Sequence, residues 1–187
     1  MLETALQYSH FLLNEIICPG DHVVDATMGN GNDTLFLAKL VGDKGKVYAF
    51  DIQKQALERT RQRLIENQVI QCTELFQQGH ETIEQVLPIE TTLSAAIFNL
   101  GYLPKSDKEI VTLPETTIQA IEQLLIRLKS KGRLLLVIYY GHSGGQEELK
   151  AVSYYCQQLP QEQFNVLSYQ FINQKNQPPI LFCIEKK

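Results

Sequence analysis

The chain has 187 residues, 44% of them hydrophobic, and a formal charge of −4 at pH 7. That length supports one well-buried core and excludes two comfortable ones, so a single domain over 1–187 is expected. The acidic balance excludes a globally basic nucleic-acid binder, and any RNA binding must use a local basic patch.

From the N-terminus, the apolar stretch Tyr8 to Cys18 is interrupted by His10, Asn14 and Glu15 and lacks a basic leader. It reads as an amphipathic helix, not a signal peptide. No later run has the length to span a membrane, so a cytoplasmic protein with no membrane partner is expected. Cys18, Cys72, Cys156 and Cys183 are widely spaced, with no C-x-x-C pair, and read as reduced, buried structural residues with no metal.

Short apolar runs rich in β-branched and aromatic residues follow at 22–26, 46–51, 72–77, 94–99 and 133–140, and read as strands. Helical patterns lie between them at about 33–41, 53–67, 81–87 and 115–130, with a further one at 145–158. Such alternation implies a mainly parallel sheet covered by helices on both faces. The basic run Arg127 to Arg133 falls where the fourth helical pattern ends, and its default reading is a solvated helix terminus favoured by the dipole. Phe164 to Ile172 and Pro179 to Glu185 are strand-like and joined by a polar turn of six residues. That is too short for a parallel crossover, so these two strands should be antiparallel neighbours. The expected fold is an α/β three-layer sandwich with a seven-stranded, mostly parallel sheet and a C-terminal antiparallel hairpin. This arrangement resembles the Rossmann-like class I methyltransferase fold.

The most informative loop runs from His22 to Thr34, where an apolar strand ends in Asp25 and passes through Thr27, Gly29, Asn30 and Gly31 into a helix start. The glycines let a ligand approach the main chain, and Asn32 or Asp33 can cap the helix. Asp51 ends the next strand, as suits a group accepting hydrogen bonds from a ribose diol, with Gln53 just beyond it. A pyrophosphate fingerprint would need G-x-G-x-x-G, but Thr34 stands where the third glycine belongs. Asp25 and Asp33 would also repel a pyrophosphate, whereas they suit the amino group and sulfonium of S-adenosyl-L-methionine.

In a doubly wound sheet the ligand lies outside the carboxyl ends of the strands, so the later strand-end loops should converge on the same place. Gly79, His80 and Glu81 can hold an adenine edge, and His80 is equally readable as a helix-start residue. The next loop, Asn99-Leu-Gly-Tyr-Leu-Pro-Lys-Ser-Asp107, suits an amine acceptor: Asn99 can accept its hydrogen bond, Gly101 permits close approach and Tyr102 offers a stacking face. Tyr140 and His142 follow the fifth strand in a glycine-rich turn, where His142 reads either as a general base of suitable intrinsic pKa or as a turn residue. A neutral amine can lose its proton after transfer, so no strong base is required.

The fourth loop resembles the Asn/Asp-Pro-Pro-Tyr motif of amino-group methyltransferases, with Leu100 and Gly101 in place of both prolines. Together with Asp25 to Asp33, Asp51 to Gln53, Gly79 to Glu81 and Tyr140 to Gly145, it resembles the MnmM (YtqB-like) family, first labelled putative rRNA methylases. The resemblance covers almost the whole chain, and Lys105 departs from the small residue usual at that position. It implies methyl transfer from S-adenosyl-L-methionine to the amine of 5-aminomethyl-2-thiouridine at the tRNA wobble position. It also implies an anticodon stem-loop as partner, engaged by a few phosphate contacts and stacking surfaces. Tyr102, Leu103, Pro104, Lys105, Lys108 and Tyr140 are the candidates for that surface. A homodimer would widen it, although no residue pattern singles one out. Other readings are methylation of rRNA or a small amine, a non-catalytic module that binds the cofactor, and, most distantly, a dehydrogenase.

Overall fold

The computed structural model describes residues 1–101 and 111–187. In chain order the elements are α1 (Ala5–Asn14), β1 (His22–Asp25), α2 (Asn32–Val41), β2 (Lys46–Phe50), α3 (Lys54–Glu66), β3 (Thr73–Phe76), α4 (Ile83–Val86), β4 (Leu93–Leu100), α5 (Pro114–Arg127), β5 (Leu128–Ile138), α6 (Gly145–Gln158), β6 (Phe164–Tyr169) and β7 (Ile180–Lys186). The strands form one sheet of order β3-β2-β1-β4-β5-β7-β6. The first five are parallel, and β7 pairs antiparallel with both β5 and β6. The strand order therefore reverses between β1 and β4, and a crevice opens there beyond their carboxyl ends.

Strand alternation decides the layers, because successive side chains point to opposite faces. On β4, Ala96, Phe98 and Leu100 join one apolar cluster with Ala120, Ile121 and Leu124 of α5 and Val152 and Cys156 of α6. Ala95 and Ile97 join the other, with Leu12 and Leu13 of α1 and Leu37, Ala38 and Val41 of α2. Burying such side chains stabilises the domain by roughly 1.5–3 kcal/mol each before the entropy of ordering is subtracted. No helix among the described residues is long and apolar enough to cross a membrane.

α1 starts earlier than the apolar run alone indicates, because Thr4 and Gln7 form a reciprocal capping box. Its far end is fastened by Arg133, whose guanidinium donates to the Leu12 carbonyl at 2.8 Å, Glu15 at 2.7 Å and Glu185 at 2.9 Å. The basic run thus does not form a solvated helix end. α5 stops at Arg127 and β5 begins at once, with Lys129 paired to Asp21 at 3.1 Å, because pairing with β4 and β7 outweighs the exposed helical turn. Cys72, Cys156 and Cys183 are buried as expected, and burial pushes the last two thiols up to about 12. Cys18 is exposed, since it lies in the turn between α1 and β1.

Candidate functional site

A cavity of about 670 Å³ lies beyond the carboxyl ends of β1, β2 and β4. Its floor is built by the turn after β1, which the sheet and α3 support from opposite sides. Met28 N–H donates to the Phe50 carbonyl, Gly31 N–H closes a turn on the Met28 carbonyl, and the Thr60 hydroxyl of α3 donates to the Gly29 carbonyl. Arg59 on the same helix donates to the Asn30 side chain at 3.1 Å. Gly31 has φ +75°, and a Cβ there would stand 2.9 Å from Thr60 Cα. Only glycine lets α3 approach this closely.

Asp51 lies at the cavity wall, where Oδ2 accepts Gly29 N–H at 3.0 Å and Oδ1 accepts Gln53 N–H at 2.9 Å. Burial raises its pKa, and those two amides hold it back. Each carboxylate oxygen keeps a lone pair for a ligand hydroxyl. Asn30, Asn32, Asp33, Thr27, Gly29 and Gln53 line the same cavity.

Asp25 does not. Its carboxylate is fully buried beneath the loop, where it accepts the Thr34 hydroxyl at 2.6 Å and Thr27 N–H at 3.2 Å. Burial, then the nearby negative charge of Asp33, raises its pKa to about 7. Where the sequence suggests a ligand contact, Asp25 instead lies beneath the loop and braces it from inside through those two donors. Nor do Asn32 and Asp33 cap α2, whose N-cap is the left-handed Gly31 with no side-chain bond.

Asp33 instead reaches across the cavity floor. One oxygen accepts the Asn99 side-chain amide at 2.5 Å, and the other meets His10 Nε2 of α1 at 2.7 Å. Asn99 N–H in turn donates to the Thr27 hydroxyl at 2.7 Å. A carboxylate only accepts, so the Asn99 NH₂ must face Asp33 and its Oδ1 must face the other way. Leu6, from the same face of α1 as His10, closes the wall.

Opposite this group, the short helical turn after β3 presents His80 and Glu81 to the cavity. Gln123 of α5 holds the turn by donating to the Glu81 carbonyl at 3.0 Å and accepting Glu84 N–H at 2.9 Å. His80 Nδ1 sits 3.2 Å from the Ala26 carbonyl, while its buried Nε2 has no partner among the described residues. Burial lowers its pKa, so the ring is neutral, with Nδ1–H donating and Nε2 left as an acceptor for a ligand donor.

Beyond β4, Gly101 exchanges bonds with Thr112, whose hydroxyl donates to Glu148 of α6 at 2.6 Å. Gly101 has φ +146°, and a Cβ there would stand 3.2 Å from Tyr139 Cβ and 3.5 Å from His142 Nε2. This side of the cavity is therefore close-packed around Gly101, Tyr139 and His142. His142 lines the cavity with Nδ1 at 2.9 Å from the Ser143 carbonyl. Tyr140 packs on the core, and its neighbour Tyr139, just past the end of β5, is the one that lines the cavity. Tyr102, Leu103, Pro104, Lys105 and Lys108 lie outside the described residues.

Sequence reading missed His10, Leu6 and Gln177, and chose Tyr140 over its neighbour Tyr139. Gln177 reaches the cavity from the β6–β7 turn with φ +47°. Only the capping box ahead of α1 could have signalled any of these, by fixing the start of the helix that carries Leu6 and His10.

Residues 47–185 match the family described as "Putative rRNA methylase". A solved putative rRNA-methylase from Clostridium thermocellum is 43% identical, with full coverage of both chains and a TM-score of 0.97. A putative methyltransferase from Streptococcus mutans, solved in complex with SAH, is 42% identical over the full length of both chains, with a TM-score of 0.92. The chloroplastic tRNA (mnm(5)s(2)U34)-methyltransferase of Arabidopsis thaliana is 37% identical over 191 residues, spanning 98% of this chain and 70% of the relative. With the strand order, the converging loops and this match in agreement, the chain belongs to the putative rRNA methylase family, the MnmM-like group of class I methyltransferases that its motifs resemble.

Proposed function

We propose that this chain methylates the amine of 5-aminomethyl-2-thiouridine at the tRNA wobble position, giving 5-methylaminomethyl-2-thiouridine. The observation that carries the proposal is the orientation of Asn99: its NH₂ is committed to Asp33, and its Oδ1 is left to accept from an N–H at the cavity wall. An amine held by one N–H keeps its lone pair for reaction. The likeness to the Arabidopsis tRNA methyltransferase over nearly the whole chain supports the choice of wobble uridine.

Asp51 takes the ribose hydroxyls of S-adenosyl-L-methionine, and His80 Nε2 and Glu81 take the adenine edge, where a buried acceptor otherwise lacks a donor. Asp33 and Asn32 face the methionine end, where negative charge favours the amino group and the sulfonium. Bound there, the cofactor supplies a sulfonium methyl that passes to nitrogen by in-line displacement as the carbon–sulfur bond breaks. Asn99 aligns the nitrogen, Tyr139 and Leu6 exclude water, and Gly101 lets the acceptor come close. No protein base is needed, since the product ammonium can release its proton to solvent. His142 serves the wall of the acceptor side, and Tyr139 takes over the stacking role first read into Tyr140. An anticodon stem-loop reaches this mouth; Lys105 and Lys108, the phosphate contacts the sequence suggests, lie outside the described residues.

The test is incubation of the purified protein with methyl-labelled cofactor and tRNA lacking the terminal methylation, followed by nucleoside mass spectrometry. Label in the wobble nucleoside is the expected result. Cofactor binding without such transfer would overturn the reading, and label in rRNA or a free amine instead would redirect it.

A further inference from the structure

The least expected member of the site is His10, which comes from α1, far ahead of the acceptor loop in the sequence, and yet touches the group that orients Asn99. Its ring stacks on Phe36 of α2 at 4.1 Å with an 8° interplanar angle, which fixes the plane of Nε2 toward Asp33. Asp33 is 7% exposed at the side chain, so its carboxylate depends on protein donors. His10 supplies one and Asn99 the other. The pair is anchored from outside: Arg133 fastens the end of α1 to the sheet, and Tyr169 of β6 donates to the Glu3 carbonyl at 2.7 Å.

We propose that His10 is a positioning residue for methyl transfer, acting through Asp33 to hold the Asn99 amide with its oxygen toward the acceptor. The proposal rests on the reading of Asn99 as the group that receives the substrate amine. Remove the donor from Nε2, and Asp33 turns to recover a partner for its freed oxygen. The Asn99 NH₂ then loses its acceptor, and the amide is free to rotate about its side-chain bonds and present NH₂ to an amine that needs an oxygen. α1 thereby belongs to the catalytic apparatus as well as to the core. Its displacement would affect transfer without touching the ribose or adenine contacts.

The experiment uses the full chain with His10→Ala and with His10→Gln, whose amide nitrogen can occupy the Nε2 position as a donor. Single-turnover transfer at saturating tRNA should fall on the order of 10- to 100-fold in His10→Ala, as expected when a reacting group is misplaced by a change outside the contact itself. The KM for tRNA should stay within about two-fold, and SAH affinity by calorimetry should fall by less than the transfer rate does, because the ribose and adenine contacts are kept and only Asp33 among the cofactor groups shifts. His10→Gln should recover most of the rate. A wild-type rate in His10→Ala, or a loss shared equally by His10→Gln, would overturn the proposal. Should the wild-type protein leave tRNA unmodified, the functional reading fails separately, and the Asn99 side-chain amide resonances decide this one. They should move to the free-amide position in His10→Ala and stay at the wild-type position in His10→Gln; no movement in His10→Ala would sink the inference.

Discussion

Asp33 and Asn99 lie 66 positions apart in sequence, yet the Asn99 side-chain amide donates to Asp33 Oδ2 at the floor of the cavity. α2 and β4 meet there because β1 and β4 are parallel neighbours and α2 follows β1 directly. The bond settles which atom Asn99 offers to a ligand. Asn99→Ala should therefore lower methyl transfer on the order of 100-fold, the cost of a misplaced reacting group. SAH affinity should fall by less than the rate does, since Asp51 and His80 are untouched and Asp33 alone loses a donor. Parallel calorimetry and single-turnover assays check this; an unchanged rate would remove Asn99 from the acceptor role.

Asp51 combines two tasks, holding the Gly29 and Gln53 amides and offering its remaining lone pairs to the cavity. A hydrogen bond to a charged group contributes about 1.5–3 kcal/mol, roughly tenfold or more in affinity. Asp51→Ala should weaken SAH binding by at least about tenfold, measured by calorimetry. Asp51→Asn should lose less, because one oxygen can still accept. Equal affinity across the three proteins would exclude the ribose role.

The buried Asp25 makes stability depend on pH. Burial and the neighbouring Asp33 raise its pKa from 3.8 to about 7 in the folded protein, so the folded state holds the proton more tightly than the unfolded chain does. Its stabilising contribution is complete below pH 3.8 and is lost progressively as pH rises through about 7. Asp25→Asn keeps an oxygen for Thr27 N–H and can donate to the Thr34 hydroxyl, which is free to rotate. The difference in unfolding free energy between variant and wild type should move in favour of the variant from pH 5 to pH 8. Urea titrations at those pH values measure it, and a pH-independent difference would refute the assignment.

Gly31 is a sterically closed position. Alanine there would carry a left-handed φ, costing about 1–2 kcal/mol, and its Cβ would press on the Thr60 backbone, at a further cost of about 1–3 kcal/mol. Gly31→Ala should lower the urea midpoint and weaken SAH binding together, because α3 and the cofactor loop would separate. Loss of stability at full SAH affinity would show that the loop does not depend on α3.

The fold was legible in the chain because strand and helix periods are local properties. Alternating apolar runs fixed the parallel sheet, the short polar turn after Ile172 fixed the antiparallel hairpin, and Asp51, Gly29 and Asn99 could be placed at strand ends from their positions alone. Tertiary structure decided which of those residues face the cavity. Asp25 and Asp51 look equivalent in sequence, but Thr34 and Thr27 draw one carboxylate inward while backbone amides hold the other at the cavity wall. Tyr139 and Tyr140 follow the end of β5 side by side, and only the first lines the cavity while the second packs on the core. His10 becomes visible only when Arg133 docks α1 against the sheet and brings the imidazole to a carboxylate 23 residues away. Local pattern sets element type and order through backbone geometry. Partners across the sheet depend on packing between elements, which no short stretch of sequence contains.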